Sequence, residues 1–202
     1  ITIDFSKSLK FVDEITVSSE HAQILNIAKK NGLNLTKRNK KLSGDRISDF
    51  KVLRHAIYNI ERKKNCKFDI IIYLQPTSPF RKLKDIKKAI NIMLKKKYDS
   101  VWSVTKASLK FHPKKVLKIN QNKKLKLFQK SGENIVARQE LSNIFIRNGI
   151  FYIFKRKKLL NEKKIYLKNI YPYLIKHEYV NIDNKEDLIK SKLLALKKNY
   201  NF

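Results

Sequence analysis

The run Ile70-Ile71-Ile72-Tyr73-Leu74-Gln75-Pro76-Thr77-Ser78-Pro79-Phe80-Arg81 decides how this chain is read. It starts unbroken and apolar, the pattern of a strand covered on both faces in a parallel sheet. Pro76 and Pro79 then end the ladder, because each lacks a backbone donor and fixes its φ. That places Gln75, Thr77 and Ser78 just past the carboxyl end of a buried strand, where open α/β sheets bind ligands. A polar βα loop without a ligand would carry the same pattern.

On the N-terminal side, residues 2–10 read as the tail of a helix and Val12–Ser18 as a β-branched strand. Glu20–Lys30 reads as a helix with Ile24, Ile27 and Ala28 on one face, stopped by Gly32, and Leu33–Lys37 as a short strand. Ser43–Ser48 is a polar turn in which Asp45 and Ser48 suit a helix N-cap, and Phe50, Leu53, Ile57 and Ile60 follow at helical spacing. On the C-terminal side, Leu83, Ile86, Ile90, Met93 and Leu94 mark the buried side of a helix, and Ser100–Thr105 is the next strand.

Alternating strands and helices predict an α/β domain with a mostly parallel, three-layer, Rossmann-like sheet and the 70–74 strand in its interior. Residues 106–142 break the rhythm: they hold Lys-rich β-like pieces, Val116–Ile119 and Leu125–Phe128, and no helical period. They read as an arm or insertion within one domain spanning 1–202. Ile144–Phe154 reads as a long or bent strand around Asn148-Gly149 and Ile170–Ile175 as a late strand. A final helix opens at Asp183 and runs through Leu188, Ile189, Leu193 and Leu196, with Glu186 at capping-box spacing from Asp183.

The 202 residues, 42% of them hydrophobic, suffice for one domain with a core. No apolar run approaches the ~18 residues of a membrane span, and the first residues lack a signal-peptide pattern. A lone cysteine, Cys66, permits no intrachain disulfide and fits a cytoplasmic protein. Net charge is +30, from 47 Lys and Arg against 17 Asp and Glu. The lysines are spread along the chain beside abundant Ile and Asn, as an A/T-rich coding bias produces. Without zinc-finger spacing, an RNP-like motif or a basic heptad, nucleic acid is not an expected partner. His21, His55, His112 and His177 show no metal-ligand spacing, and there is no Walker A and no G-x-G-x-x-G.

The segment Leu74–Arg81 resembles the signature of the acylneuraminate cytidylyltransferases, the CMP-sialic acid synthetases. Three further segments follow in that family's order: Arg138-Gln139-Glu140-Leu141, Arg147-Asn148-Gly149-Ile150-Phe151-Tyr152-Ile153 and Val180-Asn181-Ile182-Asp183 through Leu188. The resemblance implies a nucleotidyltransferase-like fold with a projecting dimerisation arm. It also implies transfer from CTP to the anomeric hydroxyl of a nine-carbon keto acid sugar, giving CMP-sugar and pyrophosphate with Mg²⁺. A Kdo-type sugar is the alternative substrate, and a non-catalytic paralogue that binds sugar or dimerises is the alternative role.

By the same resemblance, Asp183 is the metal ligand and a catalytic residue, with Asn181 where the family has a first aspartate. Gln75 contacts the sugar and shares the catalytic role, and Tyr152 lines the sugar pocket. Asp45, Ser48 and Asn148 meet the nucleotide, although Asp49 stands where serine is usual. Arg138 and Lys115 bind the sugar carboxylate from a neighbouring subunit's arm, which implies a homodimer. The family opens with a strand and a Gly- and Lys-rich phosphate loop. The chain, whose first residue is Ile and whose only methionine is Met93, is expected to start inside the helix that follows them. Read from the residues alone, Asp183 is better taken as a helix cap than as a metal ligand.

Overall fold

The computed structural model describes residues 1–44 and 46–197. The elements are α1 (Thr2–Ser8), β1 (Thr16–Ser19), α2 (Ala22–Lys30), β2 (Asn34–Lys37), α3 (Asp49–Lys64), β3 (Ile70–Tyr73), α4 (Leu83–Lys95), β4 (Ser100–Lys106), β5 (Leu117–Ile119), β6 (Leu125–Leu127), β7 (Phe145–Lys155), α5 (Arg156–Glu162), β8 (Ile170–Leu174) and α6 (Lys185–Lys197). No described helix is long and apolar enough to cross a membrane.

Three sheets form. β1 and β2 pair in parallel, β5 and β6 make an antiparallel hairpin, and a four-stranded sheet has the order β3-β7-β4-β8. β7 is antiparallel to both β3 and β4, whereas β4 and β8 are parallel. The α/β architecture is therefore as expected, but the sheet is mixed, and β3 lies at its edge rather than its interior. The cause is β7, which returns from the 106–142 excursion to fill the position between β3 and β4.

Both faces of β3 are nonetheless covered, as its apolar run requires. Ile70 and Ile72 pack on the cluster containing Ile86, Ala89 and Met93 of α4 together with Val101, Phe151 and Ile153. Ile71 and Tyr73 pack on the opposite cluster, with Phe50, Leu53 and Ile57 of α3, Trp102, Tyr152 and Leu159. The helices thus form outer layers on two sides of the sheet. The lead-in to β3 is fixed by Glu61 on α3. Its carboxylate accepts from Arg156 Nε and Nη2 at 2.6 and 2.7 Å and from the Phe68 backbone N–H at 3.2 Å. A fork-to-fork Arg–carboxylate pair of this kind ties α3, α5 and β3 together with fixed geometry.

Several helix faces differ from their periodic reading. Leu25 and Ala28 are the buried residues of α2, while Ile24 and Ile27 are exposed. Leu94 of α4 is exposed. On α6 the buried residues are Ser191, Leu194 and Ala195, and Leu188, Ile189, Leu193 and Leu196 face outward. α6 meets the protein through Leu194, packed with Phe80, flanked by the small residues Ser191 and Ala195. The short helix α5 carries no strong period and was not anticipated from the sequence.

The 106–142 segment carries the β5–β6 hairpin and short 3₁₀ turns, with no α-helix. His112 and Leu141 are buried at its base, while Leu117, Ile119, Leu125 and Phe128 are exposed on the hairpin.

Candidate active site

The site is built where the loop after β3, the bend in β7 and the segment before α6 meet. β7 bends because Gly149 sits at φ +68°, a conformation that side chains resist. Space also demands glycine there, since a Cβ would collide with the Gln75 side-chain oxygen and lie 2.8 Å from Ser78 Oγ. Opposite the bend, the register of β4 against β7 shifts between Trp102 and Val104. A bulge of this sort re-aims side chains, and here Ser103 reaches Asn148 Oδ1 at 2.6 Å.

Ser78 joins the three segments. Its Oγ lies 2.9 Å from the Asn148 carbonyl oxygen and 2.7 Å from Asn181 Oδ1, so one hydroxyl proton is shared between two acceptors. Asn181 Nδ2 in turn donates to Asp183 Oδ2 at 2.8 Å. The loop backbone is pinned as well: Ile182 N–H donates to Thr77 O at 2.8 Å, and Ser78 N–H to Gln75 O at 3.0 Å. With these groups satisfied, the Gln75 amide stands at the centre, against the bare backbone of Gly149.

Asp183 is exposed and is not the cap of α6. Asn184 takes that role, its Oδ1 accepting from the Asp187 N–H at 2.9 Å, while the Asp187 carboxylate accepts from the Asp183 N–H at 3.2 Å. The capping-box reading of Asp183 with Glu186 is thereby corrected by one residue. The Asp183 carboxylate is left with an amide neighbour and open solvent. Among the described residues no group of three or more His, Cys, Asp or Glu side chains is arranged for a metal. A single carboxylate completed by water and phosphate oxygens still suits a hard ion such as magnesium. Asn181 offers such an ion less, because its oxygen is taken by Ser78 and its nitrogen faces Asp183.

The other expected residues divide. Asn148 is 2% exposed, and its side chain is spent within the protein, with Oδ1 also accepting from the Ile150 N–H at 3.2 Å and Nδ2 donating to Thr105 Oγ1 at 2.9 Å. Tyr152 lies in the core, stacked on Tyr73 at 5.8 Å and edge-on to Trp102 at 5.0 Å. Lys115 and Arg138 come together on the arm, where they line one concavity of about 270 Å³. Ser48 precedes α3 with an exposed side chain that does not cap the helix. Asp45 lies outside the described residues.

Other neighbours of the site were not legible as such. Tyr73 OH donates to Asp49 Oδ1 at 3.4 Å. Burial first, and then the nearby Asp49 carboxylate, push its phenol up to about 12. Burial likewise raises Tyr152, against the opposing pull of Arg147. Tyr73, Tyr152, Trp102 and Tyr166 form a row of rings. The row leads to a cavity of about 470 Å³ lined by Trp102, Val104, Phe145, Arg147, Tyr166 and Pro172. The Arg147 guanidinium sits 5.7 Å from the Trp102 ring centroid. Tyr73 and Trp102 looked like ordinary strand residues; the only signal was their shared position on one sheet face.

The sequence model of the family described as Cytidylyltransferase matches residues 1–200. The chain belongs to that family. It is 30% identical over 166 residues to the post-translational flagellin modification protein B of Campylobacter coli, covering 81% of this cytidylyltransferase and 68% of that protein. It is 24% identical over 177 residues to the N-acylneuraminate cytidylyltransferase of Streptococcus agalactiae serotype III, covering 87% of this chain. The chain spans 41% of the length of that relative. A solved structure of CMP:2-keto-3-deoxy-manno-octonic acid synthetase complexed with CTP superposes with a TM-score of 0.66 at 16% identity. That match covers 98% of this chain and 88% of the other, and it shows the shared fold.

Proposed function

We propose that this cytidylyltransferase joins the CMP part of CTP to the anomeric hydroxyl of an acidic, sialic-acid-like nine-carbon keto sugar and releases pyrophosphate. The observation that carries the reading is the meeting of Gln75, Ser78, Gly149, Asn181 and Asp183, from three segments far apart in the sequence, around one open carboxylate. The streptococcal relative's name supports the choice of sugar.

In this reading the sugar hydroxyl gives up its proton to solvent as its oxygen bonds to the α-phosphorus, the bond to the bridging oxygen breaks, and pyrophosphate leaves with that electron pair. Gln75 orients the sugar with an amide that Gly149 leaves room for. Asp183 would hold Mg²⁺, which would neutralise charge on the phosphates. Asn148 acts by fixing the bend, and Tyr152 by backing the ring row. Ser48 and Asp45 meet the nucleotide. Lys115 and Arg138, together on the arm, bind the sugar carboxylate of a neighbouring copy in a homodimer, Arg with two parallel donors and Lys as a point charge. The cytoplasm, which supplies CTP, is the proposed location.

The experiment is pyrophosphate release from CTP and Mg²⁺ with three acceptors: a nine-carbon keto acid sugar, Kdo, and a neutral hexose. Release with the nine-carbon acid at 10-fold or greater kcat/KM over Kdo supports the proposal. Preference for Kdo would move the substrate to the eight-carbon class. Release with none of them would overturn the enzymatic reading of this chain.

A further inference from the structure

Arg81 closes the segment on which the fold reading rests, yet no role has so far been attached to it. It is 3% exposed. A buried guanidinium normally has a carboxylate partner, because an unpaired buried charge is costly. Among the described residues no carboxylate lies within ion-pair reach of Arg81, whose hydrogen-bond partners are neutral oxygens. Nε donates to the Ile150 carbonyl at 2.7 Å, Nη1 to Thr2 Oγ1 at 3.2 Å, and Nη2 to the Gln75 carbonyl. The Phe5 ring lies 6.0 Å from the guanidinium carbon. Burial lowers its pKa to about 10, so the side chain stays charged at neutral pH without an acidic counter-charge.

The two carbonyls are the informative part. Gln75 lies in the loop after β3 and Ile150 directly follows Gly149 in β7, and Gly149 packs against the Gln75 side chain. One rigid, planar group thus spans the loop after β3 and the bend in β7 from behind. Its third contact ties both to α1. From the far end of the loop, His177 Nε2 lies 3.3 Å from the Phe80 carbonyl and Nδ1 lies 3.4 Å from Asp85. Lysine could not copy the span, since its donors radiate from a single point.

We propose that Arg81 is a positioning residue for the transfer reaction. It clamps the Gln75 and Ile150 carbonyls, and so sets the place of the Gln75 amide against the Gly149 bend. It touches no substrate and works from behind the site. A fold is more cheaply stabilised by an apolar side chain at such a spot. The retention of a buried, uncompensated cation there is accounted for by the geometry it imposes. The part of this inference that concerns rate rests on the proposed function; the clamp itself does not.

The test uses Arg81→Met and Arg81→Lys in the full chain, with two readouts. The first is amide hydrogen exchange. Arg81→Met is expected to speed exchange about 10-fold or more in peptides covering 75–81 and 147–150, with α3 and the β1–β2 pair unchanged. Arg81→Lys should fall between Met and wild type. The second is pyrophosphate release. Arg81→Met is expected to lose about 100-fold in kcat with KM for the sugar changed less than about 3-fold, because misplacement by an ångström costs that much. Arg81→Lys should recover at least about 10-fold. If wild type releases no pyrophosphate, the proposed function fails and exchange alone judges the clamp. Unchanged exchange at 75–81 and 147–150 in Arg81→Met, or loss of protection spread evenly over the chain in both variants, overturns the proposal. Local exchange changes with a full rate retained would overturn its link to catalysis.

Discussion

Asn181 turns its amide nitrogen toward Asp183, with Nδ2 2.8 Å from Oδ2, and its oxygen toward Ser78. The Asp183 carboxylate is therefore held by a neutral donor on one side and is open on the other. Asp183→Asn should leave folding almost unchanged, because Asn184 caps α6. It should lower the rate of pyrophosphate release by about 100-fold or more, the scale of losing one centre of charge stabilisation. Asn181→Asp would set two carboxylates side by side, an arrangement that only a cation relieves. It should lower the magnesium concentration needed for half-maximal rate. Magnesium titrations of both variants against wild type check this, and superimposable curves would remove Asp183 from the site.

Gly149→Ala should be costly on two counts. The φ of +68° costs a side-chain-bearing residue about 1–2 kcal/mol, and the added methyl must displace Gln75 and Ser78. A loss of at least ~2 kcal/mol in urea unfolding is expected, with activity reduced more than stability predicts because Gln75 moves. Gly32→Ala is the control. It has a similar φ of +71° with nothing within 4 Å of a Cβ, and should show the backbone cost alone.

Two phenols should titrate late. Tyr73 and Tyr173 are both pushed up to about 12, chiefly by burial and also by Asp49 and Asp85 respectively. Their folded pKa values lie above the unfolded value near 10, so the unfolded chain gives up protons first. The stability they lend is intact below pH 10 and is lost as pH rises from 10 to 12. Absorbance titration of tyrosinate should show both groups lagging behind the exposed tyrosines. Tyr73→Phe should remove one of them and flatten the fall in stability across that window.

The hairpin β5–β6 presents Leu117, Ile119 and Leu125 to solvent. Sedimentation equilibrium should show a dimer, and Ile119→Asp with Leu125→Glu should give a monomer that still melts cooperatively. If Arg138 and Lys115 act across the subunit boundary, the monomer should raise KM for the sugar about 10-fold or more while binding CTP unchanged. A wild-type monomer at high concentration would refute the shared site.

The strands and most helices were legible because their apolar patterns are dense: Ile70–Tyr73, Val101–Trp102 and Ile150–Phe154 are all strand core. The direction of β7 was not legible, because strand polarity depends on the path of the 106–142 excursion and not on side-chain period. The buried face of α6 was missed because two of its three residues, Ser191 and Ala195, are too small to mark an apolar stripe, and the third is Leu194 rather than its neighbour Leu193. Gln75, Asn181 and Asp183, which the motifs single out, come together in the structure. That Asn148 spends its amide inside the protein could not be read, because Ser103 and Thr105 of β4 are its partners across a bulge in β7. The pairing of Tyr73 with Asp49 carried no signal, since it joins a strand end to a helix start.

The middle position of β7 also has a consequence during synthesis. β3 and β4 are not hydrogen-bonded to each other, and both find their partner in a strand that ends at Lys155. Roughly eighty residues separate Tyr73 from Lys155, which at ~5–20 residues per second is roughly 4–16 s of translation. Throughout that interval the nascent Ile70-Ile71-Ile72 edge has no neighbour in this sheet, so holdase chaperones have their natural point of engagement there, and a ribosome that stalls within the arm leaves behind a chain prone to aggregate.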